Sequence, residues 1–367
     1  MDGLPGEYFV KISMMIAFSL LVTSFSFAAD DHIFKAKENR VRLPIPATLT
    51  PGIFQQNIDH SGQLSGQTFD QRYWVDSSSA PPASLAKTAP VIFHICGEGD
   101  VDDSYFLHDN AIEWAKALGA HLVYLEHRYY GKSIPFSDFS AEHMKYLTLD
   151  NEIEDLATFQ KWISSTQGWT GKWVTVGGSY SGTISAIYRY VHPELVSGAL
   201  ASSAPMIPGV GSPEGTQDDV DSMSYTDASN NSGERPWVYQ SCTTFGFWMA
   251  DGPNPGANLF YPSSWLCQQL FGNAPIVNNE IYNQKYDLPY ISNSADAPSN
   301  ILFTYGSNDI WTKIGLTQQP NANPKITIKI INGAVHHFDL NAPTSSDSAE
   351  VKEARAAFLS LAQEWIK

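Results

Sequence analysis

At 367 residues the chain is longer than a typical single domain, a size that α/β folds reach when they carry one inserted subdomain. Lys and Arg number 22 against 38 Asp and Glu, and the formal net charge of −16 argues against a nucleic-acid partner, which would require clustered cations. An acidic surface of this kind usually serves solvation alone.

Taken in chain order, the first element is Lys11 followed by the uncharged run ISMMIAFSLLVTSFSFA, with small residues at Ser26 and Ala28. This is the pattern of a secretory signal over residues 1–28, cleaved near Ala28 or Ala29, after which no membrane attachment is expected. An uncleaved anchor is the alternative, although the run is short for a bilayer span. The next stretch, DHIFKAKENRVRLPIPATLTPG, holds prolines and no period and reads as an extended arm.

QTFDQRYWV alternates as a strand. PVIFHIC and HLVYLEH are apolar runs flanking HDNAIEWAKALG, whose Ala111, Ile112, Ala115 and Leu118 share one helical face, so the three form a βαβ unit with a parallel strand pair. NEIEDLATFQKWISS is a second amphipathic helix, followed by strand KWVTVGG and helix SGTISAIYRYV. SGALASSA, NILFTYG and KITIKII supply further strands, and AEVKEARAAFLSLAQEWIK is a closing helix. Strands alternating with helices predict a mostly parallel, doubly wound α/β sheet, in two parts over residues 29–205 and 300–367. Between them, residues 206–299 lose the pattern and hold Pro, Gly, Asn and Ser, then aromatics and two cysteines, as an inserted cap would.

Three cysteines, Cys96, Cys242 and Cys267, match no zinc spacing, and no metal or cofactor is expected. A secreted context favours a Cys242–Cys267 disulfide, with Cys96, at the end of an apolar run, a buried free thiol.

The break between KWVTVGG and the following helix carries the chemistry. Ser179 stands there with Gly177 two residues before and Ser181 two after. Small residues on both sides suit a strand that turns sharply into a helix and exposes a hydroxyl, the nucleophile elbow of α/β-hydrolases; a plain Gly-Gly-Ser turn is the rival reading. Ser-His-Asp chemistry then needs a base within reach and a carboxylate to hold the base, in the chain order Ser, acid, His. Downstream, Asp309 ends the strand NILFTYG, and His336 and His337 follow KITIKII, at the carboxyl side where open parallel sheets bind ligands. Asp309 also fits a helix N-cap. His94, His127 and His192 read as structural.

Together FDQRYW, GEG, EHRYYGKS, YLT, GGSY, HPELVSGALASSAP, YQSCTTFG, the Asp309–Trp311 motif and HHFDL resemble, in order, the prolyl serine peptidase family of lysosomal Pro-X carboxypeptidase, dipeptidyl peptidase II and thymus-specific serine protease. The resemblance runs from about Phe54 onward. It implies an α/β-hydrolase fold with Ser179 as nucleophile, Asp309 as acid and His336 as base. It further implies an oxyanion hole from the Tyr180 N–H with the Gly97 and Glu98 loop and proline-containing peptides as substrates; a secreted, lysosomal or vacuolar location is expected, with a homodimer one open assembly.

The chain departs from the family pattern in several places. Cys96 replaces a glycine, Ile310 replaces the proline of Asp-Pro-Trp, Val335 lengthens the segment before the two histidines, and Thr244 replaces a glutamate. The cap is also short, so that cleavage from the amino or the carboxyl end stays open. An esterase of other specificity and a non-catalytic secreted binding protein of the same fold are the competing readings.

Overall fold

The apolar runs assemble into one eight-stranded sheet in the computed structural model, which describes residues 47–207, 212–215, 234–245, 249–251, 264–272, 279–320 and 322–367. The strands are β1 (Thr50–Asn57), β2 (Thr68–Asp76), β3 (Val91–Ile95), β4 (His121–Leu125), β5 (Trp173–Gly178), β6 (Gly198–Ser202), β7 (Ile301–Gly306) and β8 (Ile326–Ile331). They lie side by side in the order β1-β2-β4-β3-β5-β6-β7-β8. β2 runs antiparallel to β1 and β4, and every other neighbouring pair is parallel. This is an α/β-hydrolase sheet, with β5 near its middle. The expected signal sequence lies outside the described residues.

Why the inner strands were readable follows from their burial. Every residue of β3, β4, β6 and β7 is buried, so both faces are covered and the sequence shows an unbroken apolar run instead of alternation. The sequence reading passes over β1, an edge strand that carries Pro51, Gly52 and a polar Gln-Gln-Asn end. Proline is tolerated there because one edge of the strand needs no ladder donor.

Four long helices sandwich the sheet: α1 (Ala111–Leu118), α2 (Leu149–Gln167), α3 (Tyr180–Val191) and α4 (Ala349–Trp365). The stripe Leu149, Ile153, Leu156, Phe159 and Ile163 of α2 packs with Ile184 and Ile187 of α3 against Phe93 and Trp173. On the opposite face, Trp114 of α1 meets Phe358 of α4 at a ring separation of 4.5 Å, over Ile92, Leu122 and Val176. Thr148 and Ser348 accept N–H bonds at the starts of α2 and α4, and Gly168 ends α2 in the left-handed region that glycine favours.

Within residues 206–299 the described parts include helical segments at Glu234–Gln240, Ser241–Phe245, Ser264–Phe271 and Asn279–Tyr282, the last running on to Ile291. Cys242 and Cys267 are disulfide-bonded with Cα atoms 5.7 Å apart, and Cys96 is a buried free thiol. Around the disulfide, Val238, Tyr239 and Phe271 pack on Tyr129, Phe139, Met144 and Leu147, which seats this part of residues 206–299 on the loop after β4. Among the described residues no helix is long and apolar enough to cross a membrane.

Candidate active site

Where β5 becomes α3 the backbone is forced through an unusual turn. Ser179 adopts φ +59° and ψ −133°, a left-handed region that a side chain reaches only under strain. Its N–H donates to the Ser202 carbonyl at 2.9 Å and its carbonyl accepts from the Gly182 N–H at 2.9 Å, so the turn is clamped on both sides. Glycine is required around it: a Cβ on Gly177 would stand 2.1 Å from the Ser181 carbonyl oxygen, and one on Gly182 2.9 Å from the Ser202 carbonyl oxygen. Ser181, where the motif usually has glycine, fits because its hydroxyl folds back to donate to the Gly178 carbonyl at 2.7 Å. Ser179 remains partly exposed.

The acid and the histidines arrive from the neighbouring strand ends. Asp309 follows β7 and divides its carboxylate between two tasks: Oδ1 accepts the Trp311 N–H at 3.0 Å and caps a short helical turn, while Oδ2 lies 2.9 Å from His336 Nδ1. Asp309 thus caps a turn with one oxygen and faces His336 with the other. Burial by itself would raise the Asp309 carboxyl, but hydrogen bonds from His336 and Ser203 outweigh it and hold it below the ordinary carboxylate range. His336 keeps 30% of its side chain exposed against 1% for Asp309. His337, at φ +35°, donates its N–H to Ser203 Oγ at 2.8 Å, and a Cβ on Gly178 would lie 3.3 Å from its own Cβ, so the histidine loop rests on the elbow. His336 and His337 have ring centres 4.6 Å apart.

Two supporting residues escaped the sequence reading. Ser203, itself at φ +50°, ties the His337 backbone to β6. Asp339 is buried beneath the histidine loop, where its carboxylate accepts the Ser202 hydroxyl at 2.5 Å and the Thr304 hydroxyl at 2.8 Å, and its carbonyl accepts Arg355 Nε of α4 at 2.9 Å. The only hint in the sequence was their place in ASSAP and HHFDL, next to strand ends.

On the other side of the elbow, Tyr180 opens α3, where the first N–H groups of a helix have no intrahelical acceptor. The Gly97–Gly99 loop leaves β3 nearby, and a Cβ on Gly97 would lie 3.7 Å from Ser181 Oγ. Behind it is a buried polar cluster. The Tyr180 hydroxyl donates to Glu152, Gln240 Nε2 donates to Glu152 Oε1 at 2.6 Å, Tyr130 donates to Gln240 Oε1 at 2.6 Å, and His127 Nε2 lies 3.3 Å from Glu152 Oε2. Burial opposes a charged His127, yet Glu152 outweighs it and the imidazole is raised above its usual value. His94 lies 2.6 Å from Asp109, and His192 bonds Glu154 and Glu194.

Glu98 stands apart in this cluster. Its Oε1 is shielded from solvent without a hydrogen-bond partner among the described residues. Burial pushes its carboxyl up to about 7, against the pull of His127 and His336. The folded chain therefore binds a proton that the unfolded chain has released between pH 4.5, the ordinary value, and about 7, so this carboxyl lowers stability as pH rises through that window. Glu98→Gln is expected to flatten the fall in melting temperature between pH 5 and pH 7.5, and an unchanged slope would place Glu98 in a solvated setting. Among the described residues no group of three or more His, Cys, Asp or Glu is placed to hold a metal ion.

Human lysosomal Pro-X carboxypeptidase is 34% identical over 181 residues, which cover 45% of this chain and 35% of that protein. Mouse thymus-specific serine protease is 32% identical over 157 residues, covering 42% and 30%. The aligned stretches thus span about a third of the length of these relatives. A solved esterase from Pseudomonas putida aligns with 100% of this chain and 99% of its own at 15% identity and a TM-score of 0.48. The family described as serine carboxypeptidase S28 matches residues 56–214 and 210–358. With those matches lying over the elbow, the Asp309–His336 pair and most of the sheet, the chain belongs to the serine carboxypeptidase S28 family.

Proposed function

We propose that the chain is a serine exopeptidase that hydrolyses peptide bonds next to proline through Ser179, Asp309 and His336 and an acyl-enzyme. The observation that carries this reading is the 2.9 Å bond from His336 Nδ1 to Asp309 Oδ2, made by a histidine loop that rests on the elbow. Held by an ionised Asp309, the imidazole presents its Nε2 as a base, takes the Ser179 proton as the hydroxyl attacks the peptide carbonyl, and returns it to the leaving amine. Water then repeats the cycle on the ester. The Tyr180 N–H, with the Gly97 and Glu98 loop, stabilises the oxyanion; a donor in that role typically contributes about 3 kcal/mol to lowering the barrier.

Proline preference is supported by the human relative's name, Pro-X carboxypeptidase. A secreted or lysosomal setting is supported by that same name, by the Cys242–Cys267 bond and by the apolar run before Ala28. The test is product identification by mass spectrometry with a proline-containing peptide and a simple ester offered side by side. Cleavage next to proline is the expected result. Rapid ester turnover with every peptide intact would instead make the chain an esterase, and failure on both would leave a non-catalytic binding protein.

A further inference from the structure

Resting on the peptidase reading, we infer that Glu98 recognises the free amino terminus of the peptide substrate, so that this chain trims from the amino end. An exopeptidase must read one chain end, and the two ends carry opposite charges. The charge available around the elbow therefore decides between them.

The inserted region, residues 206–299, carries ten acidic residues and only two basic ones, Arg235 and Lys285. Both bases are engaged. Arg235 donates from Nε to the Phe139 carbonyl at 2.8 Å and from a terminal nitrogen to the Leu270 carbonyl at 3.2 Å, with its guanidinium 4.9 Å from the Phe271 ring centre. Lys285 Nζ bonds Asp150 at 2.5 Å. A substrate carboxylate finds no spare cation in the inserted region.

An ammonium group meets the opposite situation. Glu98 sits at the carboxyl end of β3, one residue after the glycine that faces Ser181, and its Oε1 is hidden from water with nothing to accept from. Leaving a buried acceptor unmet is costly, and an ammonium would satisfy it with a charge-assisted bond. The titratable groups that act on Glu98 come from every side: His127 and Tyr130 after β4, Glu152 of α2, Tyr105 after β3 and His336 after β8. Of the two histidines, His127 is matched by Glu152 and His336 by Asp309, so neither is left as the permanent partner of Glu98. Burial holds Glu98 near the point of ionisation, and an arriving ammonium favours its charged form.

The test uses one proline-containing peptide in four forms, with each end free or blocked, plus an amino-blocked form carrying a lysine. Free-amine peptide is expected to exceed the acetylated one at least tenfold in kcat/KM, amidation of the carboxyl end to change little, and the free-to-acetylated ratio to rise from pH 5.5 to 7.5. In Glu98→Gln the ratio should fall toward one, with circular dichroism and a cooperative melt reporting that the variant is folded. Equal rates with and without acetylation, or loss on amidation, overturn the inference and leave the peptidase reading standing. Restoration by the lysine alone overturns the assignment to the terminus. If no form is cleaved while Ser179 still labels, the peptidase reading falls and the inference with it.

Discussion

Replacing Ser179 by alanine is expected to abolish covalent labelling by a fluorophosphonate and to lower peptide hydrolysis by about 10⁶-fold, the scale on which loss of a nucleophile acts in serine peptidases. The motive is the elbow: a partly exposed serine at φ +59°, its backbone clamped by the Ser202 carbonyl and the Gly182 N–H. Because alanine inherits the same backbone and those bonds involve main-chain atoms, the melting temperature should stay within a few degrees of the parent. Labelling that persists at full strength in the variant would assign the reactive group elsewhere, and a collapsed melting temperature would make the kinetic loss a folding effect.

The two histidines should separate just as sharply. His336 has its Nδ1 on Asp309 and part of its ring open, whereas His337 contributes a backbone N–H to Ser203 and lies against Gly178. His336→Ala should lower single-turnover acylation by several orders of magnitude with little change in stability, and Asp309→Asn should follow at about 10⁴-fold through loss of the correct tautomer. His337→Ala should act first on the melting temperature, because it removes a ring that packs the elbow. A larger acylation defect in His337→Ala than in His336→Ala would exchange their roles.

How much of this could be read in the chain depended on where the information lay. β3, β4, β6 and β7 were legible because burial on both faces writes a continuous apolar run, and the elbow because its crowding tolerates only small residues at Gly177 and Gly182. β1 was not, since its pairing with β2 compensates for a proline and a polar end that local propensity disfavours. Asp309 and the histidine pair were marked by their place after strands, but local spacing could not choose between His336 and His337. That difference comes from a loop in which one ring turns to Asp309 and the other to Gly178. Ser203, Asp339 and the Glu152 cluster were invisible because their partners lie far away in sequence. Residues 206–299 gave no period to read at all.

The bond from Arg355 in α4 to the Asp339 carbonyl sets an order in time. Asp339 holds the histidine loop through β6 and β7, and α4 secures Asp339, so the reactive arrangement is completed by a helix that leaves the ribosome long after the serine. While the chain is being made, the elbow can form without a working base beside it. On the proposed triad, the serine would therefore gain its base only once synthesis has passed Arg355.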